Sequence, residues 1–273
     1  MSVPETIDHQ ARTCDPSLAY WLAQASDLAY KDESTVEKRA RQWGFDRVRH
    51  HQTRFTPPFP LEDTQAYTMA SDGMIITAFR GTEPAQIRDW LSDATTPPRP
   101  GPARTGYVHY GFAEALESIF PTVKDTLAEF RDNGQTLWIT GHSLGGALAM
   151  LAAARLFLEE PRLLADGVCT FGQPRTCDRE LADAYNEGFK KRMLRFVNNN
   201  DIVPQMPPAP AFTHVEALRY IDSDGRIRES VSLAGGLADR AKGMTADPFA
   251  PAGDGVRDHS IHTYIAALER NIG

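Results

Sequence analysis

The chain has 273 residues, of which 41% are hydrophobic and 24% charged, proportions of a globular protein rather than a disordered or fibrous one. Its net charge of −7 excludes the basic footprint of a nucleic-acid binder and argues against docking on anionic membranes by charge, while leaving a neutral lipid surface open. The three cysteines, Cys14, Cys169 and Cys177, have no spacing pattern, which excludes a disulfide framework or a zinc site.

The length fits one large α/β domain or two small ones. No basic stretch followed by an apolar one opens the chain, so no signal peptide is predicted; the expected location is cytoplasmic, or secreted by a route the sequence does not reveal. No uninterrupted apolar run predicts a transmembrane segment. Pro16 at a first-turn position, with Leu18, Trp21, Leu22, Ala25, Leu28 and Ala29 at helical spacing, predicts a first helix. A more polar one follows from about Ser34 to Trp43. Residues 47–56 look strand-like, and His50 and His51 read as surface residues of an edge strand. Gln65–Ala70 and Met74–Arg80 flank Ser71-Asp72-Gly73 as a hairpin.

Met74–Arg80 runs into Arg80-Gly81-Thr82, a turn able to offer the N–H and hydroxyl of Thr82 to an oxyanion. Five prolines between Glu83 and Tyr107 exclude a regular core element there. Within this segment Ile87, Trp90 and Leu91 form one apolar stripe of a short helix, either a movable lid or a stripe packed on the domain. Phe112–Arg131 reads as a helix that Pro121 breaks or kinks.

Leu137–Thr140 then has strand character and enters Gly141-His142-Ser143-Leu144-Gly145, followed by an apolar run from Ala147 to Leu158. A G-x-S-x-G pattern between strand and helix marks a nucleophile elbow. Its glycines stand where a side chain would clash, and the turn lifts the serine hydroxyl out of the sheet. The N–H of Leu144 and the helix N-terminus face the place where an oxyanion would develop. Strands at Val168–Phe171 (with Cys169 as a core residue) and Met193–Val197 alternate with a helix at 178–189, the rhythm of a parallel doubly wound sheet. Past the second of these strands, Asp201 can orient an imidazole, although Asn/Asp clusters are also ordinary loop residues. Leu218–Ile221 and Arg226–Glu229 read as a hairpin, and 231–256 as an irregular insert. His259 and His262 are three apart, so helical spacing leaves open which one matters. Serine, aspartate, then histidine is the chain order of an α/β-hydrolase triad.

The pieces AFRGTE at 78–83, DWLSD at 89–93, VHYGF at 108–112, ITGHSLGGALA at 139–149, TFGQPR at 170–175, RFVNNNDIVPQMPP at 195–208, FTHVEALRY at 212–220 and DHSIHTYIAAL at 258–268 together resemble the class 3 lipases, the fungal and plant triacylglycerol lipase family. The resemblance implies an α/β-hydrolase fold, with a mostly parallel central sheet flanked by helices and a lid helix. It implies one domain over 1–273, with a lid segment at about 83–105 and a second insert at about 231–256. Ser143 is then the nucleophile, Asp201 the orienting acid and His259, preferred over His262, the base. Thr82 and the Leu144 N–H form the oxyanion hole, and Ile87, Trp90 and Leu91 lie on the lid. His109 and His214 match positions with a structural role. The implied activity is hydrolysis of glyceride esters at a lipid–water interface, without cofactor or metal. The alternatives are a soluble carboxylesterase, feruloyl type included, and a non-catalytic protein that keeps the fold for binding. Unlike the secreted fungal members, the chain shows neither signal peptide nor disulfides.

Overall fold

A computed structural model describes residues 6–54, 63–82, 97–189, 191–229 and 257–272. Helix α1, Pro16–Leu28, starts where the Asp15 carboxylate accepts the N–H of Leu18 at 2.8 Å. Helix α2, Glu33–Gln42, starts likewise at Asp32, which accepts from Thr35 N at 3.0 Å. Strands β1 (Arg47–Arg54), β2 (Asp63–Ala70) and β3 (Met74–Phe79) form an antiparallel meander. The short strands β4 (Arg99–Pro100) and β5 (Tyr107–Val108) make a separate pair. After helix α3, Tyr110–Phe130, the chain adds β6 (Thr136–His142), helix α4 (Leu144–Glu159), β7 (Gly167–Phe171), helix α5 (Arg179–Phe189) and β8 (Met193–Asn198). Strands β9 (Leu218–Ile221) and β10 (Ile227–Arg228) and helix α6 (Ile261–Arg270) complete it.

The main sheet has eight strands in the order β1-β2-β3-β6-β7-β8-β9-β10. From β3 to β9 neighbours are parallel, and β1, β2 and β10 extend the two edges antiparallel. Strands β3, β6 and β7 are buried at every position, because helices cover both faces. One face carries Ile75, Phe79, Leu137, Ile139 and Val168 against α3, α4 and α5. The other carries Met74, Ile76, Ala78, Trp138 and Phe171 against α1 and α6. The period-2 alternation of the strands divides these two sets.

Two expectations are corrected. Helix α3 runs without a break through Pro121. Pro121 is exposed and so is Glu117, four residues earlier, so the carbonyl that loses its helical partner faces water. His51 is not a surface residue: it is 3% exposed and its ring nitrogens lie 3.3 Å from Thr122 Oγ1 and 3.1 Å from Thr68 Oγ1. Helix α3 covers this face of the edge strand. The apolar stripe of Ile87, Trp90 and Leu91 and the insert at 231–256 lie outside the described residues. Among the described residues no helix is long and apolar enough to cross a membrane.

Candidate active site

Ser143 stands between the end of β6 and the start of α4, with φ 59° and ψ −127°. A non-glycine residue with positive φ is strained unless its surroundings hold it there. They do so through close packing. A Cβ on Gly141 would collide with the carbonyl of Gly145, and a Cβ on Gly145 with the carbonyl of Phe79 at the end of β3. The N–H of Ser143 donates to the carbonyl of Phe171 at 2.9 Å. Leu144 opens α4, whose first N–H groups have no intrahelical acceptor. The turn after β3 packs on the same elbow: a Cβ on Gly81 would lie 3.2 Å from Ser143 Cβ. Thr82 follows directly.

Asp201 lies three residues beyond the end of β8 and is 1% exposed. Its carboxylate accepts from Val203 N at 2.9 Å, from the Tyr264 hydroxyl at 2.5 Å and from His259 Nδ1, 2.9 Å from Oδ2 and 3.0 Å from Oδ1. Tyr264 stays a neutral donor, because burial, and then the charge of Asp201, push its ionisation well above the usual tyrosine range. Gly172, at φ 60°, lets these groups approach: a Cβ there would lie 2.8 Å from Asp201 Oδ2 and 2.9 Å from His259 Nδ1.

His259 is 1% exposed. Its contact with Asp201 assigns the proton to Nδ1 and leaves Nε2 as the basic atom. His259 Nε2 and Ser143 Oγ are both buried, and neither has a hydrogen-bond partner among the described residues. The ring of His142, next to Ser143, lies 4.6 Å from the His259 ring, and its Nε2 donates to the His259 carbonyl at 2.6 Å. His262 is elsewhere. It is exposed, and its Nε2 is 3.4 Å from Asp27 on α1. The structure therefore places Asp201 and His259 in contact, next to the elbow that carries Ser143, and leaves His262 out. What the arrangement offers chemically is a hydroxyl on a strained turn, an oriented base and a helix N-terminus at one rim of the sheet.

Residues 76–211, about half of the chain, match the family model described as Lipase (class 3). The chain belongs to the class 3 lipase family. It is 36% identical over 159 residues to a lipase of Rhizomucor miehei, a match covering 55% of this chain and 42% of that protein. A lipase of Rhizopus niveus is 34% identical over 173 residues, covering 60% and 43%. The triacylglycerol lipase OBL1 of Arabidopsis thaliana is 29% identical over 236 residues, covering 67% and 44%. The chain thus spans less than half the length of these curated relatives. Among solved structures, the Rhizomucor miehei triacylglyceride lipase superposes with a TM-score of 0.59 at 26% identity, over 76% of this chain and 80% of that one. The Yarrowia lipolytica LIP2 lipase, at 21% identity, shares the fold with a TM-score of 0.58 over 75% and 78%. The fold is that of an α/β-hydrolase.

In this member of the class 3 lipase family several site residues escape a reading of the sequence. Tyr264 sits on the buried stripe of α6 and has the signature of a core aromatic. Asn198 donates through Nδ2 to the Asp258 carbonyl at 3.0 Å and to Thr263 Oγ1 at 3.2 Å. Asn200 N and Asn199 Nδ2 donate to the Asp258 carboxylate at 3.2 and 3.3 Å. The run of three asparagines therefore ties the loop of Asp201 to the loop of His259. Its only trace in the sequence is an asparagine-rich loop. His214 donates to the Pro204 carbonyl at 2.7 Å, just past Asp201, and His109 packs between Phe112 and Phe212.

Proposed function

We propose that this chain hydrolyses the carboxylic ester bonds of lipids, triacylglycerols foremost, through an acyl-enzyme on Ser143. The observation that carries the reading is the Asp201–His259 pair, which leaves one basic nitrogen, Nε2, buried beside the serine elbow and without a partner among the described residues. His259 Nε2 takes the Ser143 proton while Oγ attacks the ester carbonyl. Asp201 holds the Nδ1–H tautomer and stabilises the imidazolium. The N–H of Leu144 and the N–H and hydroxyl of Thr82 receive the negative charge on the carbonyl oxygen. The imidazolium then gives its proton to the leaving alcohol. Water, deprotonated by the same nitrogen, releases the fatty acid and restores the serine. The names of the fungal and plant relatives support a glyceride substrate. On this reading Ile87, Trp90 and Leu91 belong to a lid that opens at a lipid–water interface.

The test is hydrolysis of emulsified triglyceride and of a p-nitrophenyl ester series of increasing acyl length, for the wild type and Ser143→Ala. The expected result is turnover of long-chain esters by the wild type, with a rise in rate once substrate exceeds its solubility, and none by the variant. Residual turnover within about tenfold of wild type in Ser143→Ala overturns the nucleophile assignment. Turnover of short soluble esters without a jump at the solubility limit assigns a soluble carboxylesterase instead.

A further inference from the structure

His142 fills the first variable position of the G-x-S-x-G turn, where the pattern itself asks for no particular side chain. Here it is buried, and both ring nitrogens are engaged. Nε2 donates to the carbonyl of His259 at 2.6 Å. Nδ1 lies 2.9 Å from the hydroxyl of Tyr30, just past the end of α1. A carbonyl only accepts, so Nε2 carries the proton. In the neutral ring Nδ1 then has a lone pair, and the Tyr30 hydroxyl donates to it. Burial holds His142 in that neutral form, since it pushes protonation well below the ordinary histidine range.

Tyr30 also touches the third part of the site. A Cβ on Gly81 would collide with its hydroxyl, and the Arg80 guanidinium lies 5.8 Å from the centre of its ring. Arg80 is fixed from the other side by Gln65 Oε1, which accepts from its Nη1 at 2.7 Å. One tyrosine, more than 110 residues from the serine in sequence, therefore bears on the oxyanion turn, on the elbow and, through one imidazole, on the backbone of the base.

We propose that Tyr30 and His142 form a positioning relay that sets where His259 and the Arg80-Gly81-Thr82 turn stand relative to Ser143. The reason is geometric. The contact with Asp201 fixes the Nδ1 edge of His259 and leaves the ring free to pivot about that edge. The second bond, from His142 to the His259 carbonyl, fixes the backbone and removes the pivot. A displacement of about 1 Å in such a site costs up to about a hundredfold in rate. A neutral His142 also matters, because its ring faces that of His259, where positive charge appears during acyl transfer. Neither residue touches substrate in this scheme, so both are positioning residues.

The inference rests on the ester-hydrolase reading. The experiment compares wild type, Tyr30→Phe, His142→Gln and His142→Phe in three measurements: kcat and KM on a soluble p-nitrophenyl ester, the rate of fluorophosphonate labelling at Ser143, and thermal melting. Tyr30→Phe removes only the hydroxyl. The expected result is a kcat about tenfold lower with KM within about twofold, labelling slowed in parallel, and unchanged melting. His142→Gln, which keeps an N–H in reach of the His259 carbonyl, is expected to retain more activity than His142→Phe. Tyr30→Phe with kcat and labelling within about twofold of wild type overturns the relay. So does a loss of rate accompanied by an equal rise in KM or by partial unfolding. A wild type that neither labels nor cleaves esters overturns the underlying reading instead, and the two failures are told apart by the wild-type control.

Discussion

Ser143 occupies a backbone region that costs about 1–3 kcal/mol for a residue with a side chain. The free energy to hold it there comes from its neighbours, above all from glycines that let strand, turn and helix approach. Gly145→Ala places a methyl against the Phe79 carbonyl, a backbone atom at the end of β3 that cannot swing aside. The expected outcome is a loss of about 1–3 kcal/mol of stability in denaturant melts, and, on the proposed function, an ester-hydrolysis rate lower by at least about tenfold, because the elbow and the Arg80-Gly81-Thr82 turn are pushed apart. A second prediction separates the two histidines. His259→Ala is expected to lower kcat by about a thousandfold or more, and His262→Ala to leave it within about twofold, measured on the same p-nitrophenyl ester. His262 is exposed and meets Asp27 on α1 and the neighbouring Ser260, so its removal leaves the buried pair intact.

Among the elements, α4 shows how a core helix can be legible in sequence while its surroundings are not. Residues 144–154 are buried at every position, and the run from Ala147 to Leu158 is apolar nearly all round, as a helix buried on all sides must be. Leu148→Ala in its first turns is expected to cost about 2–5 kcal/mol, read as a shift in the denaturant midpoint at unchanged slope. The hairpin of β2 and β3 was equally legible, because Ser71-Asp72-Gly73 breaks two strand-like runs locally. β1 was legible as a strand and misread in its surface. Nothing in residues 47–56 announces that α3, about seventy residues later, covers one face and buries His51. Pro121 was misread for a related reason. A proline inside a helix is costly when it orphans a buried carbonyl, and burial is decided by what packs against that face.

At the scale of the whole molecule, several histidines are folded away in neutral form. Burial first, and then the charges of Arg49 and His50, lower His51 to about 4 from an ordinary value of 6.5. His142 and His214 are lowered as well, burial being the leading cause in both. Between the two values for His51 the unfolded chain binds a proton that the folded chain refuses, so stability falls as pH drops from about 6.5 toward about 4. At about pH 5 the His51 contribution alone amounts to about 2 kcal/mol. The expected outcome is that the loss of stability between about pH 7 and about pH 5, from urea melts, is smaller in His51→Gln than in the wild type by roughly that amount. An equal loss in both proteins removes His51 from the account of acid sensitivity.

By itself the sequence determined what short-range physics determines. It placed strands and helices by period, turns by glycine and proline, and a serine on a tight strand-to-helix turn by the close approach that Gly141, Ser143 and Gly145 spell out within five residues. Only the tertiary structure decided which groups meet. That Asp201 faces His259 and not His262 follows from strand order, from the tie between Asn198 and Asp258 and from the bond of the Tyr264 hydroxyl to the Asp201 carboxylate. Tyr264 shows no sign of a site in sequence, since a buried tyrosine in a helical stripe and one that holds a hydrogen bond to a functional group have the same local pattern, and Tyr30, half-buried just past the end of α1, reads as an ordinary residue after a helix. What each of them does depends on contacts across 63 and 112 residues of chain, and these exist only once the sheet has brought its carboxyl ends to one rim.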